Sequence, residues 1–372
     1  MYYNRNIITL IIALQLVLNS FAQDFNRNIE AREDSLTLAK AYILQALEKN
    51  TVYADGETAP VESLNGEDAA DDPAIWVNLK NPEKSLILGT NKKAGIYVYN
   101  LKGEVLQFVR TGNINNVDLR GDFIHNGKKM VLVAASNRSL NTISLYLLDK
   151  KTGILSDTIS NISSDVDEVY GISMYHNKIN GNFYAIVNGK GGKIEQWHIK
   201  SSDNKIVANR VKTFGVTTQP EGMVVDDESG MLYLGVEQDG IYYANLNSDT
   251  LKLNLIAESK DHNSSIVYDI EGLSLFKYKK ETFLVASSQG NFTYAIFNTS
   301  KNCKYISSFS ITENEIDGAE ETDGLDITAF SCGKKYPGGI LVAQDGFNSD
   351  NGKPVNQNFK IVSLSKIFPF LK

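Results

Sequence analysis

Short apolar runs, each cut off by Gly, Asn or Asp, follow one another from about residue 51 to the end of the 372-residue chain. In DDPAIWVNLKNPEKSLILGTNKKAGIYVYNL, residues 71–101, three such runs are separated by turn residues. Runs of this length and punctuation predict β-strands. Ahead of them, residues 24–50 place Leu36, Ala39, Tyr42, Ile43, Ala46 and Leu47 at helical spacing. That pattern predicts one amphipathic helix, with those residues on its apolar face. Proline is scarce and no low-complexity tract divides the remainder, so residues 51–372 are read as one all-β domain behind an N-terminal segment, 23–50.

The strands repeat. A polar residue, a small or turn residue and an apolar strand recur as Asp72-Pro-Ala-Ile-Trp, Asn116-Val-Asp-Leu-Arg, Tyr170-Gly-Ile-Ser-Met, Glu221-Gly-Met-Val-Val, Glu271-Gly-Leu-Ser-Leu and Asp323-Gly-Leu-Asp-Ile. The leading residues are 44, 54, 51, 50 and 52 positions apart. Six units of that length predict a six-bladed β-propeller, four antiparallel strands to a blade.

The next strand of each unit ends in its own polar cluster. LILGTNKK ends on Lys92 and Lys93, VLVAASNR on Arg138, and FYAIVNGK on Lys190. LYLGVEQD brings Glu237, FLVASSQGN brings Gln289 and GILVAQDG brings Asp345. The start of one antiparallel strand and the end of the next share an edge, so both series are expected to ring one mouth of the central channel. Any single member is ordinary turn chemistry. Sorted by unit, however, cations fill one half of the ring and acids the other. Asp71, Asp269 and Asp317 lie close in sequence to the acids. Carboxylates so crowded repel unless cations hold them, and an all-oxygen donor set points to a hard ion, calcium first. Such a half beside lysines and arginine suits a polyanion carrying several phosphates.

Composition narrows the classes further. The formal charge of -7 and the lack of a basic run argue against a nucleic-acid binder. MYYNRNIITLIIALQLVLNSFAQ has a cation, an apolar run and a small-residue site at Ala22. This reads as a signal peptide, residues 1–22, too short for a stable membrane span, and it predicts a secreted or periplasmic protein. Cys303 and Cys332 could pair after export or be small buried hydrophobes. The four histidines show no metal-ligand spacing.

Beyond these readings, DDPAIWVN, TNKKAGIYVYNLKGE, NNVDLR, AASNRS, DEVYGISMYH, QPEGMVVDDESG, DIEGLSLF, ASSQGN, TDGLDI, YPGGILVAQDG and NQNFKIV resemble, in order, segments of the β-propeller phytases, a calcium-dependent alkaline family. The resemblance runs from about residue 51 to 366 and leaves out the N-terminal segment. It implies a 3-phytase type phosphomonoesterase acting on phytate and other inositol phosphates with adjacent phosphates, and a monomer. Carried over residue by residue, it implies calcium at Tyr170, Glu221, Glu237, Glu271, Asp317 and Asp323, with Gln289 nearby. Further calcium ligands fall around Asp72, Asn116, Asp269 and Asp345. It implies phosphate contacts at Lys92, Lys93, Arg138, Lys190 and Tyr170. Catalysis is assigned to Lys92, Arg138, Tyr170, Lys190 and Glu221, with a metal-activated water attacking phosphorus and no covalent phospho-enzyme. NGKGGKIEQW, VEQDG and EIDGAEETDG depart from the family pattern, which puts affinity and one peripheral calcium in question. The rival reading is a calcium-stabilised propeller that binds a polyanion or a protein without turnover. A lactonase-like calcium propeller is a weaker rival, against which the cation-rich half argues.

Overall fold

The computed structural model describes residues 35–372 except Asn65 and Asp261. The expected leader and the start of the N-terminal segment lie outside the described residues. Six four-stranded antiparallel sheets stand around a central channel. Blade one comprises Ala70–Trp76, Leu86–Asn91, Gly95–Asn100 and Val105–Arg110. Blade two comprises Ile114–His125, Lys128–Asn137, Thr142–Leu148 and Ser160–Ser163. Blades three, four and five open with the inner strands Val169–His176, Pro220–Val225 and Ile270–Tyr278. Each inner strand neighbours the inner strand of the next blade, and Leu325–Thr328 of blade six returns to Ala70–Trp76, so the ring is closed.

The continuous apolar runs exist because each blade is covered on both faces by its neighbours. Six apolar clusters are found among the described residues, and each is shared between two adjacent blades. Ile87, Tyr99, Ile340 and Phe359, for example, join blade one to blade six, with Ile87, Ile340 and Phe359 fully buried.

Blade six is not contiguous in sequence. Its inner strands, Leu325–Thr328, Ile340–Asp345 and Asn358–Ser363, come from the end of the chain, but its outer strand is Gly56–Glu57. Gly56 pairs with Ile361 and Glu57 with Lys360. Thr51–Val52 adds a parallel edge to Lys304–Ile311 of blade five. The two ends of the propeller segment therefore fasten the ring together.

Helix α1, Ser35–Leu47, forms where the spacing places it, but with a different face inward. Leu36 and Leu47 are exposed, while Ala41 and Gln45 are buried. The cause is a specific dock. Tyr42 meets Phe292 edge-on at 5.1 Å, and Gln45 Nε2 donates to the carbonyls of Phe292 and Ala319. Helix α1 thus lies against the 3₁₀ turn Gln289–Asn291, which belongs to the rim of the channel.

Cys303 and Cys332 are both buried free thiols, so the small-hydrophobe reading applies to them. They pack in separate clusters, one between blades four and five and the other between blades six and one.

A candidate active site at one mouth of the channel

The same irregularity recurs at the start of five inner strands. Ala70 pairs with Asn91, and the next pair is Pro73 with Gly89, three residues against two. Identical slips follow Ile114, Val169, Pro220 and Ile270. A bulge of this kind re-aims the residues it contains. Those residues are Asp71-Asp72, Asn115-Asn116, Tyr170-Gly171, Glu221-Gly222 and Glu271-Gly272. In blade six Asp323-Gly324 precede the strand, and the Asp323 N–H donates to Gln344 Oε1 at 2.9 Å.

This register corrects two expectations. The residues equivalent to Tyr170, Glu221, Glu271 and Asp323 are Asp71 and Asn115, not Asp72 and Asn116. Asp72 Oδ2 accepts the Val117 N–H at 3.0 Å and its residue lines the channel cavity, about 1340 Å³ in volume. Asn116 lies beside Asn115, and with its amide turned to satisfy its neighbours it donates to Glu221 Oε1 at 3.2 Å and to the Tyr170 carbonyl at 3.1 Å.

Where a pair holds a glycine, packing demands it. A Cβ on Gly222 would lie 2.1 Å from the Glu271 carbonyl oxygen, and one on Gly171 would lie 1.9 Å from that of Glu221. Successive rim residues are therefore stacked carbonyl against glycine. Gly222→Ala is expected to force blades four and five apart at the rim, costing about 1–3 kcal/mol. Urea unfolding would show this as a lower midpoint at unchanged slope.

The acids meet in a tight group. Carboxylate oxygens of Glu221, Glu237 and Glu271 all lie within 4.8 Å of one another. Glu221 and Glu271 are almost wholly buried, and Glu271 Oε2 has no hydrogen-bond partner. Asn115 Nδ2 donates to Glu221 at 2.8 Å and Gln219 Nε2 to Glu237 at 2.5 Å. Asp323 receives Gln289 Nε2 at 2.7 Å. Burial, then the charge of Glu221, holds the Glu271 carboxyl well above its ordinary range. Burial likewise pushes Glu237 and Asp323 up to about 7. The Tyr170 phenol is raised by the charge of Glu221 and then by burial. Asp269, which takes a hydrogen bond from Gln238, is pushed upward by burial and by Glu221. Acids arranged in this way do not all ionise together unaided. An orphaned buried carboxylate oxygen within an all-oxygen donor set fits a hard divalent cation.

The cations face them. Lys92 Nζ lies 2.6 Å from Asp68, 2.8 Å from Asp323 and 3.2 Å from Asp71. Arg138 Nε donates to Glu168 at 2.8 Å and its Nη1 to Asn115 Oδ1 at 3.3 Å. Lys190 Nζ is 4.8 Å from the centre of the Tyr170 ring, and the Arg138 guanidinium carbon is 5.9 Å from it. Lys93 is exposed on the turn beside Lys92.

Asp317 and Asp345 form a second group instead of joining the Glu221 cluster. Both lie on Lys360, which is fully buried. Its Nζ lies 3.2 Å from Asp345, 2.9 Å from Asn348 Oδ1 and 2.6 Å from Glu57, and it also bonds Asp317. Sequence reasoning missed Lys360, although a lysine inside the apolar strand NFKIVS is a signal in itself. It also missed Asn115, Asp68 and Glu168.

Two comparisons with known proteins point to one family. A model of the phytase family matches residues 29–372, so the match includes helix α1, which the motif resemblance had left out. The chain is 45% identical to a 3-phytase of Bacillus subtilis over 326 residues, 85% of this chain and 84% of that one. A crystal structure of a functionally unknown protein from Desulfotomaculum acetoxidans covers 67% of this chain and 74% of its own, at 18% identity and a TM-score of 0.44. That last likeness is too loose to inform the site.

Proposed function

The chain belongs to the phytase family and hydrolyses phytate; from that premise we propose that it works with calcium bound at the acidic half of the rim and substrate phosphates seated on the basic half. The rival of a propeller without turnover falls with the family assignment. The single observation that carries the calcium reading is the group Glu221, Glu237 and Glu271, three carboxylates within 4.8 Å. Asp323, Asp269 and the Tyr170 phenol stand next to it as further oxygen donors. Gln289 holds Asp323 from behind, and Asn115 holds Glu221 in the same way.

Calcium bound there supplies positive charge for the phosphate oxygens and acidifies water that reaches the site. Arg138, Lys190 and Lys92 supply the remaining charge. Arg138 can give two parallel N–H bonds to one phosphate, while Lys190, over the Tyr170 ring, acts as a point charge. Fixed donors of this sort stabilise charge that grows on phosphoryl oxygens as the ester bond breaks. Burial and the Glu221 charge push the Glu271 carboxyl well above its ordinary range, so a cation held there would favour its ionised form and binding should release protons. Two halves of one mouth favour a substrate with neighbouring phosphates, one at the breaking bond and one held beside it.

The test is calorimetric. Calcium titrated into the metal-free protein is expected to show tight binding with proton release that varies with the buffer's ionisation heat. Glu271→Gln should remove that tight phase. A wild-type protein that takes up no calcium would end the proposal. The N-terminal leader supports export, and we read the mature chain as a secreted or periplasmic monomer. Expression with and without residues 1–22, followed by fractionation and light scattering, tests both points.

A further inference from the structure

Glu168 stands two residues before Tyr170, at the entrance to the inner strand of blade three. Its carboxylate receives Arg138 Nε at 2.8 Å and Nη2 at 2.5 Å, and lies 3.6 Å from Lys190 Nζ. These two cations come from different blades, and Glu168 sits in the gap between them. Its side chain is 41% exposed, whereas Asp71, the buried partner of Lys92, is only 2% exposed. The difference decides what each carboxylate can do. The acids on Lys92 include Asp71, which is walled in and cannot leave. Glu168 has open solvent on one side.

We infer that Glu168 is an internal counter-ion occupying the place where a substrate phosphate is seated, and that it is displaced when that phosphate arrives. The inference rests on the reading that Arg138 and Lys190 seat phosphate. A carboxylate offers one negative charge and two oxygens to the pair. A phosphate monoester offers nearly twice the charge and three oxygens. The phosphate therefore wins the exchange, while a singly charged anion gains little by it. Glu168 thereby sets a threshold: it keeps Arg138 and Lys190 extended toward the gap in the free protein and lowers their affinity for weak anions. It is a positioning and selectivity residue, acting through the two cations it holds. Asp68, 61% exposed on Lys92, shows the same exposure on the other side of the ring, but there two further acids remain when it moves.

The experiment uses the full chain saturated with calcium and myo-inositol hexasulfate, a polyanion that is not hydrolysed by phosphatase chemistry. Titration calorimetry compares wild type with Glu168→Gln, Glu168→Ser, Glu168→Asp and Arg138→Ala. Removing the competing charge is expected to tighten binding about five- to tenfold in both Glu168→Gln and Glu168→Ser, the value of one half-exposed charge-assisted contact. Glu168→Asp should stay close to wild type, and KM for phytate should fall in the two neutral variants. Acetate and chloride should compete more strongly in the neutral variants than in wild type. Unchanged or weaker binding in Glu168→Gln and Glu168→Ser, with Arg138→Ala weakened as expected, overturns the counter-ion role alone. Binding that is indifferent to Arg138→Ala as well overturns the phosphate seat on which the inference rests.

Discussion

Glu221→Gln is expected to lower phosphate release from phytate by about 10²–10³-fold, the loss usual when one electrostatic anchor of a transition state is removed. Glu221 is where the two halves of the rim meet. Its carboxylate shares the 4.8 Å group with Glu237 and Glu271 and takes the Asn115 amide, which in turn reaches Arg138. The substitution keeps shape and hydrogen bonding but removes one charge. Its effect on stability should therefore run opposite to its effect on turnover. Without metal, one fewer buried carboxylate relieves the repulsion that adds to burial in raising the Glu271 carboxyl, and the variant should melt above wild type. With calcium added, wild type should gain more than the variant and overtake it. Thermal unfolding in chelator and in calcium, beside a phosphate-release assay, reads both effects. A variant that melts lower than wild type in both conditions would mean that Glu221 serves packing, not ion binding.

Chelation of wild type is expected to abolish phosphate release and to destabilise the fold by about 2.7 kcal/mol for each site that had been held at a hundred times its dissociation constant. The chelated protein should also acquire a particular pH dependence. Glu237 and Asp323 titrate near 7 in the folded metal-free chain, above their ordinary 4.5 and 3.8. At pH 3 both are protonated whether folded or not, and they contribute nothing to a difference. As pH rises from about 4 to 7, the unfolded chain ionises them freely while the folded chain resists, so stability is lost across that window and levels off above it. Melting temperatures taken in chelator at pH 5 and pH 8 should thus fall with rising pH. Calcium should flatten the trend. A metal-free protein that is more stable at pH 8 than at pH 5 contradicts the account.

Blade number was legible because each blade is close to fifty residues and opens on the same phrase. The rim was legible because antiparallel geometry brings the start of one strand to the end of the next. Exact positions in blades one and two were not. The bulge inserts a residue, and in those blades no glycine follows the rim residue to mark it; Asp72-Pro73 and Asn116-Val117 imitate the phrase one step late. Asp317 was misplaced for another reason. Its closeness in sequence to Asp323 says nothing of Lys360, which is drawn from a strand more than forty residues on. The outer strand of blade six could not be found by counting repeats, since it belongs to the last unit and is encoded before the first. The inward face of helix α1 is likewise decided by Phe292 and Ala319, remote in sequence, and not by the helix's own apolar stripe.

The fastening of blade six by Gly56–Glu57 has a consequence for the order of synthesis. A β segment made before the first blade waits for the last ones, and until Asn358–Ser363 emerges no completed mouth can exist. Lys360 lies in that final strand and gathers Glu57, Asp317 and Asp345, so the two ends of the message meet in one buried ion cluster. A polypeptide abandoned before that point carries nearly every rim residue and still lacks the joint that holds them in a circle. Chains cut short of Asn358 are therefore expected to leave the ring open at blade six.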